Sequence, residues 1–202
     1  MFALVDKSDN SITKMLNGNK GITIGDNQYP RAIFTLWTEA ERNAINIYTV
    51  TIDESKRKDE QWYINTNMTY AFDGTNATGS YGDATAKAHA DTTWTAQDET
   101  DGKGTEGEVA TRGLKYNLIQ TVKSQAASEL AKTDWYVVRK TEESTAIPSA
   151  ITTHRRAVRS KQAAMETAIT NASDTPALET LYTFTKQDDG TVTRPLGIIP
   201  TL

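Results

Sequence analysis

The sequence predicts an α+β protein, with an N-terminal β-sandwich-like domain followed by a C-terminal α-helical domain. Three observations predict it. Residues 1–96 hold short apolar runs separated by turn residues. Residues 97–112 open with Gln97–Gly107, acidic, Gly-rich and without one apolar side chain, the composition of a linker. Residues 113–202 carry apolar stripes at helical spacing.

In the front domain, Phe2–Val5 and Ile12–Leu16 are strand candidates, and Asn17-Gly18-Asn19 offers a turn that tolerates positive φ. Ile22–Ile24 follows, then a second turn at Gly25-Asp26-Asn27. Ala32–Trp37 is expected to be extended, with Ile33, Thr35 and Trp37 sharing a face. Thr38 is placed to cap a short helix over Glu39–Ala44, whose first turn is acidic. Asn46–Ile52 alternates as a strand, and Asp53–Glu60 is a charged turn. Gln61–Phe72 is the longest strand-like run, ended by Asp73-Gly74. Many short strands with regular turns suggest a sandwich or a curled sheet.

Behind the expected linker, Leu114, Leu118, Val122, Ala126 and Leu130 form one stripe of a helix. Pro148 opens a second helix, because its missing N–H would be unpaired there anyway. Ile151, Val158, Met165 and Ala172 recur every seven residues along it, a packing face. Ser173-Asp174-Thr175-Pro176 breaks that helix and caps a short one over Ala177–Tyr182. Asp189-Gly190 signals a terminal hairpin.

Composition narrows the chemistry. The net charge of −4 disfavours broad attraction to nucleic acid. With no cysteine and two histidines, no disulfide frame, thiol nucleophile or transition-metal site is expected, and no cofactor is implied. The start lacks the basic and apolar regions of a signal peptide, and no run suits a membrane helix. His89 lies in an Ala-rich stretch without a nucleophile motif, and the Asp101–Glu108 segment lacks the first acid of an EF-hand. Paired carboxylates for sugar cleavage would need an apolar pocket, and the acids cluster in turns instead. Gly18, Gly21 and Gly25 open no helix and make no phosphate loop. The expectation is a protein without enzymatic activity.

Contact residues are better represented. Arg155, Arg156 and Arg159 form the one dense basic cluster, with Arg155 and Arg159 on one helix face, suited to an acidic partner strip. Trp62, Tyr63 and Trp135 are aromatic candidates for a core or an interface. The string Leu130, Thr133-Asp134-Trp135, Arg139, Ile147-Pro148, His154-Arg155 and Arg159 resembles the C-terminal helical module of phage tail-fibre assembly proteins. His154 stands where that module usually has Tyr, and the match covers about residues 128–159.

The resemblance implies a non-enzymatic chaperone that binds the distal part of a tail fibre and assists its folding and trimerisation. Trp135 would plug a helical hairpin; the partner-contact candidates are Trp135, Arg139, Arg155, Arg156 and Arg159, with Trp62 and Tyr63 from the front domain, which carries no motif of that family. It implies a 3:3 complex with the fibre protein and self-association as a trimer, with neither nucleic acid nor membrane as partner. The place of action would be the host cytoplasm during assembly. The alternative is a structural virion protein, a fibre-tip adhesin or adaptor that stays on the tail.

Overall fold

A computed structural model describes all 202 residues. The chain is α+β, and its contacts divide it into two compact units, Met1–Thr85 and Ala86–Leu202. The first unit is mostly β. Strands β1 (Phe2–Asp6) and β2 (Ser11–Leu16) make a hairpin whose turn is set by Asp6, which accepts the Ser8 amide at 2.8 Å, and by Asn10 at φ 60. Strands β3 (Ile22–Ile24) and β4 (Asn27–Tyr29) pair around Gly25, whose φ of 57 favours a residue without Cβ. Helices α1 (Ile33–Leu36) and α2 (Glu39–Ala44) follow, then β5 (Ile47–Asp53), β6 (Tyr63–Ile64), β7 (Thr69–Phe72), β8 (Ala77–Ser80) and β9 (Thr85–Ala86).

Five strands form one mixed sheet in the order β2-β1-β5-β8-β7, antiparallel except for β5 beside β8. The sheet curls until its edge strands β2 and β7 approach each other without sharing a ladder. Period-two alternation sends the two faces of β1 into different cores. Ala3 and Val5 meet Tyr48, Val50, Phe72 and Ala77 on one side. Phe2 and Leu4 join Leu16, Ile22, Ile33, Phe34 and Ile47 on the other. A bulge keeps this sorting intact: the register skips Thr13, so that Ile12 stands opposite Val5. The two layers expected of a sandwich are therefore unequal: a curled sheet, covered on one face by the β3–β4 hairpin and α1.

Two front segments differ from expectation. Ala32–Trp37 is not a strand. Ile33 and Phe34 are adjacent and both buried in one cluster, which a strand would forbid, and their amides donate to Pro30 and Arg31 carbonyls at 3.2 and 3.1 Å. Gln61–Phe72 is not continuous. The Asn65 side chain bonds both backbone groups of Lys58 at 2.9 and 2.8 Å, and Thr66 accepts the Gly82 amide at 2.7 Å, which holds the chain between β6 and β7 out of the ladder. The capped helix is as read from the sequence: Thr38 and Glu41 close a capping box at the start of α2.

The second unit opens before the expected boundary, and residues 97–112 are folded structure within it. Strand β10 (Thr92–Thr93) pairs with β11 (Val109–Thr111), and between them lies α3 (Ala96–Thr100). Polar side chains build this segment in place of apolar ones. Thr95 and Asp98 form a second capping box, and Lys103 pairs with Asp98 and Asp101 at 3.0 and 3.1 Å. The Thr95 hydroxyl and amide, with Lys103, hold the Asp98 carboxyl down at about 2. Four helices follow: α4 (Leu114–Ala131), α5 (Asp134–Glu143), α6 (Ser149–Asn171) and α7 (Thr175–Tyr182), then the ribbon β12 (Thr185–Lys186) and β13 (Val192–Thr193).

Helices α4 and α6 make the main packed pair of this unit. Val122 and Ala126 of α4 are buried, as are Ile151, Val158, Met165 and Ile169 of α6. The heptad stripe is thus a packing face. After the ribbon the chain returns across the helices: Leu196 and Ile199 are buried, and the Leu202 amide donates to Glu129 on α4 at 2.8 Å.

Gly113 begins α4 with no space for a side chain, because a Cβ there would sit 2.3 Å from the Ala90 backbone. Gly113→Ala is expected to lower stability by about 1–3 kcal/mol through forced backbone shifts. Gly102, in open space at φ 73, should lose only about 1 kcal/mol as Ala. Urea unfolding of both variants measures the difference, and equal losses would remove the steric account of Gly113.

Candidate functional site

Between the α4–α6 pair and the solvent stands α5, and its sequence explains both its existence and its exposure. Asp134 lies in the first turn and Lys140 in the last, each favourable toward the helix dipole. Ser144 ends the helix in the left-handed region at φ 58. At ten residues the helix is about 15 Å long, a length that is marginal for an isolated helix in water. Yet none of its residues is buried. Trp135 is 51% exposed, Val137 39% and Val138 52%.

The aromatic end of α5 is ordered by stacking. The Trp135 and Tyr136 rings lie 3.8 Å apart between centroids, and the Arg139 guanidinium stands 4.8 Å and 5.4 Å from them. Trp135 therefore does not plug a helical hairpin, which corrects the expected core role. The segment Asp134–Glu143 is a helix of its own between α4 and the helix that Pro148 opens.

Beside α5 runs a groove of about 570 Å³ lined by Val137, Ile147, Thr152, Arg155, Arg156, Arg159 and Ser160. Its three arginines have different roles. Arg155 is 8% exposed and belongs to the fold: it donates to the Leu130 carbonyl at 2.8 Å and the Thr133 hydroxyl at 2.7 Å, and pairs with Asp134 at 2.8 Å. It is a clamp between α6 and the α4–α5 corner, so its expected part in a solvated contact face is corrected. Arg156 and Arg159 are exposed, and no carboxylate lies within ion-pair distance of either. The structure thus brings Trp135, Arg139, Arg156 and Arg159 onto the α5–α6 side of the second unit.

Trp62 and Tyr63 do not join them. They lie in the first unit, 3% and 5% exposed, and serve as core residues, with Lys58 stacked over the Tyr63 ring at 4.4 Å. The expected contact role of this pair is corrected by burial: a bulky apolar pair beside a charged turn reads the same in sequence whether it faces in or out.

Sequence reasoning missed Glu129. This acid is 5% exposed, accepts from Lys132 and from the Leu202 amide, and lies 3.2 Å from His154 Nε2, off-line for a hydrogen bond but close enough for an ion pair. The Lys132 ammonium, foremost, and the Leu202 amide hold its carboxyl below the usual value of 4.5, outweighing the opposite effect of burial. The available signal was its place in the row after Val122 and Ala126, an acid on an apolar stripe. Nowhere do three or more His, Cys, Asp or Glu side chains gather as a metal would need, and no helix is long and apolar enough to cross a membrane.

Arg155→Ala would remove a charged donor from the Leu130 carbonyl and the Thr133 hydroxyl and the ion partner of Asp134, and is expected to cost about 2–3 kcal/mol. Trp135→Ala should cost about 1 kcal/mol or less, since half the ring is already in water. Thermal unfolding orders the two variants, and a reversed order would refute the clamp. Glu129, with its folded pKa depressed, contributes stability above its ordinary value that is lost as pH falls through the folded value. Glu129→Gln should therefore flatten the acid limb of the stability curve, and an unchanged limb would count against the carboxylate's role.

A scan against protein-family models finds no match, and neither the curated proteins nor the solved structures show a significant similarity to the chain.

Proposed function

We propose that the protein is a non-enzymatic assembly chaperone, acting on the distal part of a phage tail fibre in the host cytoplasm. The observation that carries the reading is α5: a ten-residue helix with no buried residue that holds Trp135, Val137 and Val138 in water beside two unpaired arginines. Exposed aromatic and Arg side chains around an apolar centre have the composition of protein contact sites. The motif around Thr133-Asp134-Trp135 supplies the fibre-assembly part of the reading.

The division into two units suits such work. A fibre subunit that has not yet trimerised exposes strand edges and apolar surface, both prone to wrong pairing. The curled front sheet ends in β2 and β7, two edges that share no ladder with each other. Either edge would accept an extended segment of the fibre by strand addition, and the sandwich-like cover of β3, β4 and α1 would keep the sheet rigid meanwhile. Binding energy alone shifts the fibre from misassembled to trimeric states, with no nucleotide required.

Co-expression tests the proposal. A phage tail-fibre protein that this chain serves should be insoluble alone and a soluble trimer in its presence. Fibre solubility unaffected by this chain would refute the chaperone reading. Stoichiometric retention of the chain on purified virions, measured by mass spectrometry without any effect on fibre folding, would favour a structural adhesin or adaptor.

A further inference from the structure

We infer that the α5 face is completed by a second copy of this chain, in a two-fold pair held by Glu142 and Glu143 of one copy against Arg156 and Arg159 of the other. The inference rests on the reading of this face as a protein-binding surface and names its occupant. The second unit carries both halves of the required charge pair, the acids on α5 and the arginines on α6. Glu142 and Glu143 end α5, are exposed, and have no cation within ion-pair distance. Arg156 and Arg159 rim the groove beside Val137 and likewise lack a carboxylate. Elsewhere in this unit Lys132 is paired with Glu129, Arg155 with Asp134, and Arg112 with Asp91.

A surface that bears a group and its complement is self-complementary, the condition for a two-fold contact. Orientation follows from charge. Two α5 helices laid parallel would put four carboxylates together and align their dipoles unfavourably. Laid antiparallel across Val138, each acidic end passes the first half of the other helix, about 7 Å along the axis from the crossing point. The groove beside Val137 then faces the partner helix, with its two exposed guanidinium groups able to take carboxylates in forked pairs. Trp135 and Val138 of each copy would lose their water, which supplies the apolar energy. The rim charges would set register and partner.

The patch is small. A helix of this length buries less per partner than the roughly 800 Å² of a standard interface, so the pair forms and dissociates with concentration. This is a property of the free protein and requires no fibre.

Sedimentation equilibrium of the full chain over a dilution series tests it. The wild type should shift from monomer to dimer as concentration rises. Arg156→Glu with Arg159→Glu should weaken the dimer about tenfold or more, as should Glu142→Arg with Glu143→Arg. These side chains are exposed and without internal ion partners, so circular dichroism should show unchanged helix content. An equimolar mixture of the two double variants should dimerise again, because both contacts are then between opposite charges. A wild type that stays monomeric throughout, a dimer indifferent to both reversals, or a mixture that fails to pair would each overturn the inference. Loss of fibre solubilisation in the Arg double variant, with self-association unchanged, would assign the surface to the fibre instead. The inference would then fail while the proposed function stood.

Discussion

The guanidinium of Arg155 holds three things together at once: the carbonyl that ends α4, the hydroxyl of Thr133 and the carboxylate of Asp134. Helices ending in the interior leave carbonyls without partners, and each such group is costly to bury. Here the Thr133 amide donates to the Leu130 carbonyl and a side chain from α6 adds a charged donor, so the corner between α4 and α5 is anchored to a third helix. Thr133 adds its own bond to Leu130 and is itself almost fully buried. The anchored corner fixes where α5 begins, and α5 runs on beside α6 with no buried residue. Its aromatic and aliphatic side chains are thereby held in water.

The front unit meets a different constraint by a related device. A five-stranded sheet has two faces to cover and two edges to manage. Alternation along β1 and β5 divides the apolar residues between an inner core around Phe72 and an outer one around Ile33. The bulge at Leu4/Val5 preserves that division where the hairpin would otherwise slip by one residue. Curling brings β2 and β7 close without joining them. A sheet so nearly closed is stable, yet it still has backbone groups to offer.

Polar side chains replace apolar ones wherever the chain has few. Threonine and aspartate close the starts of α2, α3 and α7, and aspartates pin the turns at Asp6, Asp53, Asp73 and Asp189. This is how a chain with 37% hydrophobic residues can order so much irregular backbone. It also explains why residues 97–107, without an apolar member, belong to a folded unit: their order comes from a capping box, an ion-paired lysine and a short ribbon.

The sequence by itself determined the elements whose signals are local. The capped helix at Thr38, the strands Phe2–Val5 and Asn46–Ile52, the turns at Gly25 and Gly190, and the apolar stripes of α4 and α6 depend on neighbours a few residues away, and periodicity records them. Tertiary structure alone decided which side chains face inward when pattern and type permit either. Trp62 and Tyr63 went to a core, and Trp135 to the surface. Arg155 parts from Arg156 by about 100° of rotation and from Arg159 by one helical turn along the axis, and it alone reaches Leu130, Thr133 and Asp134 as an internal clamp while the other two stay exposed. Glu129 found partners from Lys132, His154 and the last residue of the chain. The physical reason is the same in each case: a charge or an aromatic ring gains its role from groups distant in sequence, and no window along the chain contains both.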